Sequence, residues 1–182
     1  MSLMENRKVA IPIMILMILV ALIFGSQRSL SALRQEAATV FLMGEAGDGI
    51  GIQNDLNERT VIAYNLVTVG RKYLNESDAQ LQNVLTAITA LQEADSPSVK
   101  YQANQQLNQA ATDLYNELKK LNLSKVDAPY PDRLFDNFNS RNSTISHDPY
   151  NQIAAGFNQK LEVFPASVLS KLVFVSRLEL YQ

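Results

Sequence analysis

The chain has 182 residues, 47% of them hydrophobic, with a formal net charge of −2 and a mean hydropathy of −0.07, the dimensions of one ordinary domain. Zero cysteines exclude disulfides, thiolate zinc sites and cysteine nucleophiles, and a single histidine, His147, excludes a multi-histidine metal cluster within one chain. With the first 25 residues set aside, 14 basic and 17 acidic residues remain among 157, too balanced for a nucleic-acid binder and without a basic stripe.

The averages hide an uneven chain. Residues 9–27 carry no charge. A helix of that length spans about 28 Å, close to a hydrocarbon core of ~30 Å. Val9, Ile13, Leu16, Leu19, Leu22 and Phe24 put apolar side chains on every face, unlike a one-sided core helix. A cleaved signal peptide has a shorter apolar run and a small-x-small site; here the run is longer and ends without an Ala-x-Ala. The segment therefore reads as an uncleaved anchor behind a short basic tail, 1–8, bearing Arg7 and Lys8. Pro12 falls in the first turn, where a missing N–H costs little. Arg28 and Arg34 follow the span, so the positive-inside rule discriminates weakly. The default orientation keeps the short tail inside and the large domain outside the membrane, and the cytoplasmic domain is the alternative.

Beyond the span the period is helical. Ile52, Leu56, Ala63, Val67, Gly70 and Leu74 begin the pattern. Leu81, Val84, Leu85, Ile88 and Leu91 form one stripe, and Ala103, Leu107, Ala110, Leu114, Leu118 and Leu121 another, in steps of three and four. Leu134, Phe138, Ile145, Ile153, Phe157, Leu161 and Phe164 continue the theme. Ser96 and Pro97 predict a helix start, residues 122–131 a loop, and Asp132 a cap on the last long helix, which Pro165 ends. Three features disagree with uninterrupted helices. Gly44, Gly47, Gly49 and Gly51 predict a flexible or kinked helix, Ser77 with Gln80 reads as a capping box, and Pro149 predicts a kink.

Near the C-terminus, Tyr150-Asn151, then Phe157-Asn158, Leu161 and Phe164-Pro165, precede an apolar tail with Val168-Leu169 and Leu172-Val173-Phe174. Upstream stand Asn65-Leu66-Val67, Val69, Arg71-Lys72 and Tyr73, and between them Tyr130-Pro131-Asp132. In this order, behind a membrane span, the motifs resemble the LemA family of bacterial membrane-anchored proteins. The chain departs from the family at Tyr64, where a proline is usual, at the glycine cluster, which replaces a tryptophan-containing segment, and at Phe174-Val175, which replaces Gly-Phe. The resemblance implies an all-α fold: a single transmembrane helix, then an antiparallel up-down four-helix bundle over 28–165, with helices near 28–58, 61–94, 98–122 and 132–164, and an apolar tail over 166–182. It implies the bacterial cytoplasmic membrane as location. It brings no established biochemical activity, only an association of family members with M48-type membrane proteases and TPM-domain proteins.

Searching for chemistry gives little. Residues 47–51 (Gly-Asp-Gly-Ile-Gly) lack the Gly-Lys-Ser/Thr of a phosphate loop, and Asp48, Asn54 and Asp55 lack calcium-loop spacing. His147-Asp148 has no nucleophile or metal partner in sequence and reads as a solvated pair. No cofactor or metal site is expected, and no enzyme. Tyr150, Phe157 and Phe164 read as a core stripe, whereas Asn151 and Asn158 either bond a neighbouring helix or face water. If four helices alternate in direction, the tail returns to the bilayer. Val168, Leu169, Leu172 and Phe174 then meet either the membrane interface or the base of the bundle. The leading expectation is a non-enzymatic, membrane-tethered bundle acting by contact with the bilayer and with other envelope proteins. Alternatives are a ligand sensor working through a partner and an enzyme using carboxylates.

Overall fold

A computed structural model describes residues 7–182; the expected basic tail therefore lies outside the described residues, apart from the backbone of Arg7 and Lys8. Among the described residues the fold is all-α, without strands. Its helices are α1 (Arg7–Met43), α2 (Ile52–Gly70), α3 (Ala79–Glu93), α4 (Pro97–Leu118), α5 (Tyr130–His147), α6 (Tyr150–Lys160) and α7 (Ala166–Leu172). Two compact units arise from these: one is Met1–Ala38 with Gln152–Leu178, the other Thr39–Asn151 with Glu179–Gln182.

α1 is the one described helix long and apolar enough to cross a membrane, over Val9–Met43. Every side chain from 11 to 24 is exposed. Ile13, Leu16, Leu19, Leu22 and Phe24 are among them, and Val9 is half-buried. The helix continues well past residue 27, because Arg28 to Met43 contain no glycine or proline.

The helix expected over 28–58 is two helices. α1 stops at Met43, and residues 44–51 make a closed turn before α2. Gly44 takes φ 72°, a left-handed conformation that costs an L-residue about 1–2 kcal/mol. A Cβ on Gly51 would stand 2.6 Å from the carbonyl oxygens of both Val40 and Phe41. The turn is tied to α1 by Gly49 N donating to Met43 O at 2.9 Å. The cluster is thus a defined helix break, and not the flexible or kinked helix expected from its composition.

The helix expected over 61–94 is also two. α2 ends at Gly70, and α3 starts after Asp78, whose side chain accepts from Gln80 N at 2.9 Å. The cap is Asp78, one residue beyond the expected Ser77. α4 begins at Pro97 as expected, with Ser96 extended before it but bonding no backbone N–H. At α5 the position before the helix is Pro129; Asp132 lies inside the first turn and pairs sideways with Tyr115 and Lys119. The last expected helix, 132–164, breaks at Pro149 into α5 and α6, and α6 ends at Lys160. Pro165 precedes α7 and does not terminate α6.

In the second unit α2 packs against α3, α4 and α5; α3 pairs with α4, and α4 also touches α5. The expected stripes supply its core: Ile52, Leu56 and Val67 from α2, Leu81 and Val84 from α3, Leu107, Leu114 and Leu118 from α4, and Phe138 from α5. Each such side chain contributes roughly 1.5–3 kcal/mol on burial. In the first unit the buried side chains include Ala154, Phe157, Leu161, Val173 and Leu178.

Candidate functional site: a clamped tail and a buried arginine

The apolar periodicity of α6 sinks Ala154 and Phe157, and Leu161 is buried just past its end. This leaves Asn151 and Asn158 on one helical row, seven residues and about 10.5 Å apart. Each grips extended backbone from the tail. In the first unit Asn158 Nδ2 donates to Leu178 O at 2.9 Å, and Leu178 N donates to Asn158 Oδ1 at 2.8 Å. In the second unit Asn151 Nδ2 donates to Tyr181 O at 2.8 Å, and Tyr181 N donates to Asn151 Oδ1 at 2.7 Å. A primary amide has one face that donates and accepts side by side, so it pairs with a single residue's N–H and C=O as a neighbouring strand would. Neither of the two roles expected for these asparagines, a bond to a neighbouring helix or exposure to water, is the observed one.

The remaining motif residues support the same tail. Tyr150 is buried, meets Phe41 edge-on at 5.1 Å, and donates its hydroxyl to Glu179 O at 2.6 Å. Tyr181 inserts its ring beside Tyr101 (5.3 Å, edge-on) and Phe41 (6.0 Å). Glu179 accepts from Ser98 Oγ at 2.7 Å, and its bonds with Ser98 and Ser96 hold its carboxyl below the usual range.

Arg59 was not singled out by sequence. It occupies the face of α2 between Leu56 and Ala63 and is fully buried. Its guanidinium stacks 3.7 Å from the centroid of the Phe138 ring. Nη1 donates to Phe138 O at 2.8 Å, and Nη2 to Asn108 Oδ1 at 3.0 Å. Burial, partly offset by the Tyr181 hydroxyl, lowers its pKa to about 10. Asn104 hydrogen-bonds the buried Tyr181 hydroxyl, and Arg59 Nε is buried without a hydrogen-bond partner among the described residues. Nearby on α2, buried Asp55 pairs with Arg141 at 3.0 Å.

A second polar cluster joins the end of α2 to the loop before α5. Asp127 accepts from Lys72 Nζ at 2.7 Å, Tyr73 Oη at 2.6 Å and Ser124 Oγ at 3.1 Å. Lys72 first, then Tyr73, holds the Asp127 carboxyl below its ordinary value. Lys119, then Tyr115, does the same for Asp132. His147 Nδ1 lies 2.8 Å from Ser143 O, a local contact within its own helix. Among the described residues no group of three or more His, Asp or Glu side chains is arranged to hold a metal ion.

The profile of the LemA family matches residues 50–182. The chain belongs to the LemA family. No curated protein matches it. The LemA match starts at the end of the glycine turn and leaves α1 outside. Within it, Leu66 and Val67 are core residues of α2, whereas Asn65 is exposed. In the second unit Tyr150 and Asn151 bond the tail, in the first Asn158 bonds it and Phe157 is buried, but Phe164 and Pro165 are exposed and take no part in the expected core stripe. The LemA tail itself divides. Val168, Leu172 and Phe174 are exposed and Leu169 is half-buried, but Leu178 and Tyr181 are buried. Periodicity missed this division because an extended segment held by side-chain amides leaves no helical or strand pattern.

Proposed function

We propose that this LemA protein is a single-pass, membrane-tethered helical bundle without catalytic activity. It works by protein–protein contact in the bacterial cell envelope, with the bundle on the outer side of the cytoplasmic membrane. The observation that carries the reading is α1: the protein covers none of its most apolar window, so the bilayer is the solvent it fits. The non-catalytic part rests on how the buried ionisable groups are engaged. Asp55 is held by Arg141, Asp127 by Lys72 and Tyr73, and Arg59 by Phe138 and Asn108. Each is engaged by its neighbours in the packed interior or at its edge. Partners are other envelope proteins, and the outer face of α2, where Val61 and Tyr64 stand exposed one turn apart, is the first surface to test.

The experiment is photo-crosslinking of the full chain in native membranes, with the crosslinker placed in turn at Val61, at Tyr64 and at Gln109 on α4. A discrete adduct from Val61 and Tyr64, absent from Gln109, supports the reading. Absence of any adduct from all three positions, with the protein folded and membrane-bound, counts against it.

A further inference from the structure

α7 and its flanks expose an apolar surface that nothing in the first unit covers. Phe174 is 92% exposed and Phe164 79%, and Val163, Val168 and Leu172 are also exposed. Five large apolar side chains over twelve residues exceed the scattered exposure expected of a water-facing surface. Between 152 and 178 the chain carries Lys160, Lys171 and Arg177 against one acid, Glu162, which Arg177 pairs at 2.8 Å. The unpaired surface charge on this segment is therefore basic.

A hydrogen bond ties this surface to α1. Arg34 Nε donates to Ser176 O at 3.0 Å. Arg34 and the apolar span belong to one unbroken helix, α1, within the same unit. Arg34 stands seven residues beyond Gln27, or about 10 Å along the axis from the end of the uncharged segment. The headgroup layer is itself about 5–8 Å thick on each side. Phe174 lies two residues before Ser176, within about 7 Å of chain, and its φ of 56° turns the chain between α7 and the clamped tail. With α1 in the bilayer, this bond keeps Phe174 within about 17 Å of the end of the uncharged segment, a range that includes the headgroup layer.

We infer that Phe164, Val168, Leu172 and Phe174 form a second membrane contact: an interfacial platform that inserts into the headgroup–acyl boundary of a lipid surface, with Lys160 and Lys171 at anionic headgroups. This rests on α1 being the anchor. The buried half of the tail, Leu178 and Tyr181, takes no part. The platform converts a one-point tether into a two-point attachment and limits how far the first unit, with the α1 span it contains, can tilt in the bilayer.

Absence of cysteine makes single-site labelling clean. Full chains carrying Phe174→Cys, Val168→Cys, Leu19→Cys or Gln109→Cys are labelled with an environment-sensitive dye and reconstituted in vesicles of phosphatidylethanolamine and phosphatidylglycerol. The quenchers are lipids bearing a nitroxide at the headgroup or deep in the acyl chain. The expected result is strong loss of emission at 174 and 168 with the shallow quencher, at 19 with the deep one, and none at 109. If 19 is quenched but 174 and 168 are not, the platform is overturned and the anchor stands. If those two labels escape lipid quenching yet are shielded from aqueous iodide, a second copy or another protein covers the face, and the proposal fails. If 19 is unquenched, the anchor reading fails and takes this inference with it.

Discussion

Replacing Asn151 with leucine tests whether the motif asparagines hold the tail. The variant keeps the side-chain volume and removes both bonds to Tyr181, at 2.8 and 2.7 Å. Neutral hydrogen bonds contribute roughly 0.5–1.5 kcal/mol each, so the clamp contributes about 1–3 kcal/mol to docking. The loss is bounded, because the freed Tyr181 N–H and C=O find water once the tail frays. The other anchors survive: the Asn158 pair, Tyr150 Oη on Glu179 O, and Ser98 on Glu179. The readout is local hydrogen exchange. The Tyr181 amide should exchange roughly 5- to 150-fold faster, the equivalent of that free energy at 1.4 kcal/mol per decade. Amides in the middle of α4 should change little. Asn151→Asp sharpens the test. It keeps the acceptor for Tyr181 N but turns a carboxylate toward Tyr181 O, so protection is low at neutral pH. It recovers as the pH falls below about 3.9 and the protonated acid regains a donor. Unchanged exchange at Tyr181 in Asn151→Leu would refute the clamp.

Other perturbations probe the turn, the buried cation and two acids of opposite sign. Gly51→Ala should lower thermal stability by about 2 kcal/mol or more, since the new Cβ meets two backbone oxygens at 2.6 Å that cannot swing away; a Tm equal to the parent's would show that the turn is soft. Arg59→Lys should cost about 2–4 kcal/mol in denaturant titration, because an ammonium cannot reproduce the stacked fork over Phe138 and its bonds to Phe138 O and Asn108 Oδ1; Arg59→Met should be less harmful than Arg59→Lys. Asp127 has a lowered folded pKa, so its contribution is fully present above the unfolded value of 3.8 and lost as the pH falls through the folded value. The deficit of Asp127→Asn should accordingly shrink below that range. Asp148 has a raised pKa, through burial first and then Asp55 and Glu45, so its charge opposes folding above that pKa. Asp148→Asn keeps an acceptor for Tyr150 N and should raise the Tm at pH 7 but not at pH 3.

The apolar stripes of α3 and α4 were readable because burial repeats with the helical period: Leu81, Val84, Ile88 and Leu91, and Leu107, Leu114 and Leu118, are all buried. Pro97 marked the start of α4 because its ring suits only the first turn. Helix ends were less legible. Ser77 and Asp78 are both competent caps, and the choice between them depends on where Leu81 must sit in the core. The glycines signalled a weakness in the helix, but the break depends on Gly51 lying against the carbonyls of Val40 and Phe41, a contact that composition does not contain. Arg59 could have been noticed as a charge on the Leu56–Ala63 face, although nothing in the sequence names Phe138 as its partner. The tail clamp joins residues 20 and 30 positions apart through side-chain amides, so seven-residue asparagine spacing was its only trace.

Alkaline carbonate extraction of membranes holding the full chain tests the central claim most directly, beside a variant with Leu16→Arg and Leu19→Arg. Each buried arginine costs about 2.5–3.5 kcal/mol at the centre of a span. An anchored protein stays in the pellet, and the double-arginine variant is released or fails to insert. Release of the full chain into the supernatant would contradict a transmembrane α1 and the tethered bundle built on it.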